Sequence, residues 1–515
     1  MLVTCYVIGL DSSTQSTKAV VWDLQGHPIA EGRAALRVET PAPGWAEQDA
    51  RTWWISTVAA LRQAIKGLDP ASILAVGLAW QRETFVALDA AGEPLRPAIL
   101  WLDQRATREA AQAQAEFGSG RFHRLTGKQL DTTPSFSKLA WMRHYEARLY
   151  RRLARVLDVG GYLAWRLTGE GRTCLAGCDS LGLLDLERGK WSAELLDYLG
   201  LAVESLPELV APCAMLGTLT AEASQATGLL AGTPVIAAGG DGQVFAVGVQ
   251  TRDRDILSLT VGTSLVLGVH WPVYQVGPAY RTMAGCYPGT FLLEAVLRAG
   301  ADVVRWFVRG MASGRSESDM EQAITGIPPG CQGLLTLPYW KGRMVPTNEP
   351  LARGVTVGWS DYHTLAHFYR SILEGMAYEV RLLIESYEAE LGIAPREIHL
   401  GGGGALSATW RQIMADVTGR EVVLSAAEST SLGAAMMAAV GSAVYPSLAA
   451  AAEAMYHPTQ RLPPQPEAAR TYDQLYKRFY TSLYPALRSL LVELGRFALE
   501  DSIEGKSASV DLRGF

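Results

Sequence analysis

Hydrophobic and polar positions alternate with short turn signals from the start of the chain. Tyr6 to Asp11 is an apolar run, Ser12-Ser13-Thr14-Gln15-Ser16-Thr17 is small and hydroxyl-rich, and Lys18 to Asp23 forms a second run. Two such runs around a turn of small polar residues predict a β-hairpin, with a third extended segment from His27. The same grammar returns further on: Asp255 to Val261, the turn Gly262-Thr263-Ser264, then Leu265 to His270. The repeat points to two half-molecules built on one plan. Helical periodicity marks Ala50 to Lys66, Ala299 to Met311 and Thr364 to Leu391. Short apolar strands at Ile73 to Ala79, Thr233 to Ala238 and Glu397 to Leu400 alternate with these helices. Interleaved strands and helices argue for α/β domains with largely buried sheets. Leu432 to Val444 is rich in Ala and Gly and too short to span a bilayer, so it reads as a buried helix. A Pro-rich stretch around Leu462 to Pro466 precedes a final helix over about Thr471 to Leu499, and the polar tail 501–515 is expected to be loose.

Composition narrows the class. A chain of 515 residues exceeds what one core supports, so two domains are expected, residues 1–250 and 251–500. The net charge of -6 gives no electrostatic case for nucleic acid or an anionic membrane. Six cysteines are scattered without a C-x-x-C pair, which fits reduced thiols rather than a disulfide framework. Cys174 and Cys178 have no second pair with which to share a metal. The first ten residues lack the basic segment and cleavage site of a secretory signal, and the cytoplasm is the expected location.

The common nucleotide motifs are missing. Gly505-Lys506-Ser507 has the tail of a P-loop, but position 500 is Glu and no strand precedes it. The hairpin turns offer another cradle, because small residues at a tip aim successive N–H groups and hydroxyls at phosphate oxygens. Asp11 ends the first strand, where a carboxylate can hold Mg²⁺ through water, and Lys18 lies just beyond the turn. Ala238-Gly239-Gly240-Asp241-Gly242-Gln243 puts a carboxylate at a strand end, placed to accept a hydroxyl proton during phosphoryl transfer. Trp80-Gln81-Arg82-Glu83-Thr84 follows another strand and combines an aromatic with opposite charges and an amide, a set suited to several sugar hydroxyls. Trp101, Asp103 and Arg105 form a second such cluster. Gly401-Gly402-Gly403-Gly404 sits at a strand-to-helix turn and lets a flat ligand press on the backbone. His363 and His367 have helical i, i+4 spacing but no third ligand, so an exposed helix face is favoured over a metal site.

In this order the motifs resemble the FGGY family of carbohydrate kinases. The matching segments are D-S-S-T-Q-S-T-K at Asp11, G-W-A-E-Q-D at Gly44, W-Q-R-E-T at Trp80, I-L-W-L-D-Q-R at Ile99 and G-G-D-G-Q at Gly239. They continue with V-G-T-S at Val261, K-G-R-M-V-P at Lys341, L-A-R-G at Leu351, G-G-G-A-L-S-A-T-W-R-Q-I-M-A-D-V at Gly402 and S-L-G-A-A at Ser431. The resemblance implies two actin-like, ribonuclease H-like α/β domains, each a mixed sheet flanked by helices, around a central cleft. It implies ATP and Mg²⁺ as cofactors, with Asp241 as general base and Asp11 as the Mg²⁺-associated carboxylate. Asp11 and Asp241 are the expected metal positions. Thr14, Gln15, Ser16, Lys18, Gly262 and Thr263 are expected near the phosphates, and Gly300, Gly403, Gly404 and Ala405 near the nucleoside. Trp80, Arg82, Glu83, Trp101, Asp103 and Asp241 are the expected sugar contacts.

The substrate signals conflict. Gln81-Arg82-Glu83 resembles family members that act on glycerol. Thr133, Thr168-Gly169-Glu170, the W-A-E-Q-D block and V-G-T-S resemble members that act on xylulose. Gly160-Gly161 and Gly242 depart from common patterns in the family, and Val304 stands where glycerol-acting members carry Gln. The reading is a kinase of a small sugar or polyol, D-xylulose first. Glycerol or another polyol is the alternative, and an actin-like ATPase or a sugar sensor without kinase activity is the alternative of another class. Neither nucleic acid nor membrane is an expected partner, and a homodimer is compatible with the family's habit of forming dimers or tetramers.

Overall fold

The computed structural model describes residues 5–345, 347–425 and 428–507. The first predicted hairpin forms as β1 (Tyr6–Ser12) and β2 (Ser16–Asp23), antiparallel with Asp11 opposite Lys18, and β3 (Pro28–Ala35) adds beyond β2. On the other side of β1 lie two parallel strands, β4 (Ile73–Trp80) and then β6 (Pro234–Gly240). The antiparallel β5 (Met215–Thr218) completes the sheet in the order β5-β6-β4-β1-β2-β3.

The second sheet repeats this plan. β7 (Ile256–Val261) and β8 (Leu265–Trp271) form the hairpin, and β10 (Phe291–Leu297) with β9 (Arg281–Ala284) extends it. β11 (Glu397–Gly401) and β12 (Glu421–Leu424) lie parallel on the other side of β7, with β13 (Gln460–Leu462) at that edge. The order is β9-β10-β8-β7-β11-β12-β13.

The predicted helices follow, with ends set by local chemistry. α1 (Ala50–Ala64) starts where the Asp49 side chain accepts from Arg51 N at 3.0 Å. α2 (Asp241–Gly248) grows directly from β6. α3 (Ala301–Met311) begins after Gly300, two residues later than its periodicity suggests, because Ala301 N donates to Gly262 O at 2.8 Å in the second hairpin turn. α4 (Leu365–Leu391) opens on a reciprocal Thr364–His367 cap. α5 (Ala408–Thr418) is capped by Ser407, which accepts from Trp410 N at 3.0 Å. α6 (Ser429–Gly441) is the buried Ala- and Gly-rich helix. The carboxy-terminal helix is longer than expected. It starts at Pro466, passes a π turn at Tyr476–Tyr480 and reaches Ser507, so the expected loose tail is helical up to there. Residues 508–515 lie outside the described residues.

Two hydrophobic cores underlie the sheets, and the first is completed from far along the chain. Leu432 to Ala439, Leu448, Ala451, Met455 and Tyr456 pack with β1, β4 and β6 in that core. α6 reaches the sheet backbone to backbone: a Cβ on Gly9 would fall 1.8 Å from Ser431 O, and one on Gly77 would fall 2.0 Å from Ala434 O. On its other side Gly433 meets Val244 O of α2, where a Cβ would stand at 2.2 Å.

Candidate functional site

The parallel register decides what meets at the cleft. Asp11 pairs with Ala79, and Ala79 with Gly239, so β1, β4 and β6 end level with one another. Asp11, the Gln81–Glu83 segment and Asp241 therefore leave the C-terminal ends of three adjacent strands, where open α/β sheets place their ligands. In the second sheet Thr260 pairs with Gly401, which brings the Gly262–Ser264 turn beside the glycine run. The glycines are required by contact: a Cβ on Gly300 would lie 2.6 Å from Gly262 O, one on Gly402 2.7 Å from Val261 O, and one on Gly404 2.3 Å from Val261 Cγ1. Gly403 faces open space instead.

The first turn is tied to the segments carrying Gln48, Gln81 and Trp101. Thr14 Oγ1 donates to Gln81 Oε1 and accepts from Trp101 Nε1, both at 2.9 Å, while Gln48 Nε2 donates to Thr14 O at 2.7 Å. Lys18 Nζ pairs with Glu428 at 2.5 Å. Asp11 Oδ1 is buried and has no hydrogen-bond partner. Burial, reinforced by the Asp241 and Glu428 charges, pushes the Asp11 carboxyl up to about 8 against the pull of Lys18. A buried carboxylate with a vacant lone pair and negative neighbours fits a divalent cation.

A charge network spans the two halves. Arg82 Nε meets Asp241 Oδ1 at 3.1 Å, and Arg82 Nη1 meets Glu294 at 2.9 Å and Gln243 Oε1 at 3.1 Å. Arg281 bridges Glu83 at 2.8 Å and Glu294 at 3.0 Å. Arg281 and Glu294 are cross-strand partners on β9 and β10. Glu294 is 1 % exposed, and although burial raises its carboxyl, Arg82 and Arg281 hold it below the usual range. Enclosure pushes Asp241 upward; Arg82 pulls it back and Glu83 raises it further. Asp241 keeps 40 % of its side-chain surface exposed.

Known proteins share this fold. The description "FGGY family of carbohydrate kinases, N-terminal domain" matches residues 6–248, and its C-terminal counterpart matches 257–442. This chain belongs to the FGGY family of carbohydrate kinases. A xylulose kinase of Escherichia coli (strain K12) is 30% identical over 81% of this chain and 85% of its own length. A glycerol kinase of Alkalilimnicola ehrlichii is 30% identical over 84% of this chain and 89% of its own. The crystal structure of xylulose kinase from Rhodospirillum rubrum superposes with a TM-score of 0.85 at 28% identity, covering 94% of this chain and 99% of that one. The two sheets are the paired actin-like, ribonuclease H-like units of this family of kinases.

In this FGGY kinase several expected contacts sit elsewhere than the cleft surface. Trp80 is fully buried, its ring filling the space over Gly160 and Gly177. Asp103 is also fully buried and accepts from Ala46 N at 2.6 Å and from Arg105 at 2.7 Å, so it fixes a loop. Ser16 is buried and accepts from Arg33 Nε at 3.2 Å, while Gln15 and Thr263 are exposed at the two hairpin tips. Arg82 meets Asp241, Arg281 joins Glu83 to the same network, and Trp101 is linked to that segment through its N–H, which donates to Thr84 Oγ1 at 3.1 Å.

Sequence reasoning missed Glu294, Arg281, Gln243, Asp179 and the lysines Lys128 and Lys138. Lys128 Nζ pairs with Asp179 at 2.6 Å, and Gln243 Nε2 donates to the other Asp179 oxygen at 3.1 Å. One signal was available: Glu294 is a lone charge inside the apolar strand Phe291–Leu297. The histidine pair is held by local hydrogen bonds. His363 Nδ1 accepts from Ser360 N at 2.8 Å and its Nε2 meets Cys331 O at 3.1 Å, while the His367 nitrogens face Thr364 and Gln332. Cys174 and Cys178 are buried, each with its Sγ on a main-chain carbonyl.

Proposed function

We propose that this protein transfers the γ-phosphoryl group of ATP to a hydroxyl of a small ketose, with D-xylulose giving D-xylulose 5-phosphate as the first reaction to test. The observation that carries this is Asp241. Its carboxylate is open to the cleft at a strand end, raised by enclosure, and set beside Arg82 and Glu83. In the proposed step Asp241 takes the proton of the substrate hydroxyl as that oxygen bonds to the γ-phosphorus and ADP departs. Arg82, Glu83 and Trp101 orient the sugar; Thr14, Lys18, Gly262 and Thr263 attend the phosphates; Gly300, Gly403, Gly404 and Ala405 attend the nucleoside. Asp11, with Asp241 alongside, would hold Mg²⁺, which supplies charge neutralisation on the phosphates.

The similarity to xylulose kinases over most of the chain supports the ketose. A polyol such as glycerol is the second reading, favoured by Gln81-Arg82-Glu83 and by the similarity to a glycerol kinase. ADP release with Mg-ATP across D-xylulose, L-xylulose, ribulose, glycerol, erythritol and gluconate decides. Turnover raised far above background by D-xylulose alone supports the ketose, and by glycerol alone the polyol. A rate that no sugar changes turns the reading toward an ATPase or a sensor.

A further inference from the structure

Lys138 lies on the helix Ser135–Tyr145 and is fully buried. Its ammonium donates to three main-chain carbonyls: Thr133 O at 2.8 Å, Glu83 O at 3.2 Å and Trp101 O at 3.4 Å. An ammonium has three N–H donors, so every one is used on backbone. The three carbonyls belong to separate segments, two of which carry Glu83 and Trp101, the side chains that the proposed function sets against the sugar.

Glu83 also holds an unusual conformation. Its φ is 52°, a left-handed value that a non-glycine residue keeps only where its surroundings over-determine it. Four anchors do so: Lys138 on its carbonyl, Ser180 Oγ accepting from its N–H at 3.0 Å, Arg281 on its carboxylate at 2.8 Å, and the register of β4 before it. A buried ammonium is a costly way to fill space; an apolar chain of the same length packs there without desolvating a charge.

We infer that Lys138 is a positioning residue of the sugar pocket, tying the Glu83, Trp101 and Thr133 main chains into one rigid unit so that the Glu83 and Trp101 side chains meet the substrate in fixed geometry. The inference rests on the sugar-kinase reading for its effect on the sugar, and the clamp itself does not. Burial pushes the Lys138 ammonium down to about 8, while Glu83, Asp103 and Asp131 favour its charge and Arg105 opposes it. Around it, Arg281 neutralises Glu83, Arg298 stands 3.4 Å from Asp131, and Arg105 pairs with Asp103 at 2.7 Å. Deprotonation removes one of the three donors and the charge, and so loosens the clamp within an accessible pH range.

The test combines Lys138→Met with the unaltered protein. Amide hydrogen exchange is read over 83–84, 101–103 and 131–134, and KM is measured separately for sugar and ATP. We expect faster exchange confined to those segments, a fall of about 100-fold in kcat/KM for the sugar, and an ATP KM that stays put. In the wild type the sugar KM should rise as pH passes about 8, and this rise should be absent from Lys138→Met. The flat ATP KM separates Lys138 from Asp11, whose titration acts through the cation. If Lys138→Met fails to fold, wild-type exchange on the two sides of that pH still decides. Unchanged protection in the three segments after substitution or deprotonation overturns the clamp, whatever the kinetics. A wild type that phosphorylates no sugar removes the kinase reading alone, since the exchange result stands by itself.

Discussion

Asp241 opens helix α2, where free main-chain N–H groups favour a negative charge, and Arg82 holds it at 3.1 Å. Asp241→Asn keeps the shape and removes the proton acceptor. It should lower kcat by about 10²–10⁴-fold with the thermal unfolding midpoint retained, as read by steady-state rates beside a melting curve; unaltered turnover would remove Asp241 from the base role. Asp11 carries a pH signature. Its carboxyl is raised from 3.8 to about 8, so its protonated form contributes stability that is present below pH 4 and is lost as pH rises through about 8. A cation needs the ionised form, so Mg²⁺ should release a proton at neutral pH and bind more weakly as pH falls below about 8. Calorimetry in buffers of different ionisation enthalpy measures that proton, and Asp11→Asn should abolish it. Glu294 tests the charge network: with Glu294→Leu, Arg82 and Arg281 lose their common buried partner, at a cost of about 3 kcal/mol, visible as a lower denaturation midpoint.

At the scale of elements, close approach governs. The helix Val159–Thr168 passes so near β4 that a Cβ on Gly160 would stand 2.4 Å from the Trp80 ring, and one on Gly177 would stand 2.8 Å from it. Trp80 and the glycine at 160 are therefore one packing solution: the large ring occupies the volume that a side chain on the helix would otherwise fill. Gly160→Ala should destabilise by about 1–3 kcal/mol, and combining it with Trp80→Phe should recover part of the loss. A double-mutant cycle on urea midpoints reads the coupling; strictly additive effects would mean that the two positions do not share this space. The two sheets follow a shared rule, in which each hairpin leaves a short turn beside the ends of parallel strands.

Across the whole molecule, the halves defined by the sheets are not closed off by sequence. α6 comes from the second half yet covers β1, β4 and β6 of the first, and Trp22 Nε1 donates to Ser431 Oγ at 3.1 Å across 409 positions. Lys18–Glu428 and the Arg82–Glu294 and Arg281–Glu83 pairs add ionic links between them. Residues 1–250 produced alone should therefore lack a cover for a sheet face rich in Val, Ile, Leu and Ala. They should show no cooperative thermal transition and should aggregate, whereas the full chain unfolds cooperatively. A stable, monomeric 1–250 fragment with a sharp transition would contradict this. Among the described residues no helix is long and apolar enough to cross a membrane.

The alternation of apolar runs and small polar turns determined the two hairpins, the parallel strands beside them and the main helices, because strand and helix periods are local properties of the chain. Small residues and lone carboxylates at strand ends likewise marked Asp11, Asp241, Arg82, Glu83 and the glycine run from the sequence alone. What the sequence left open is whatever depends on partners far away in the chain. Trp80 and Asp103 carry the residue types of a sugar contact, but only the packing of Gly160, Gly177, Ala46 and Arg105 around them turned them inward. Glu294, Arg281 and Lys138 reach Arg82 and Glu83 from β9, β10 and the helix Ser135–Tyr145, through contacts far apart in the chain that no local period encodes. The long reach of α6 into the first core was hidden for the same reason. Burial and charge pairing are sums over the surrounding three-dimensional shell, and that shell exists only once the chain has folded.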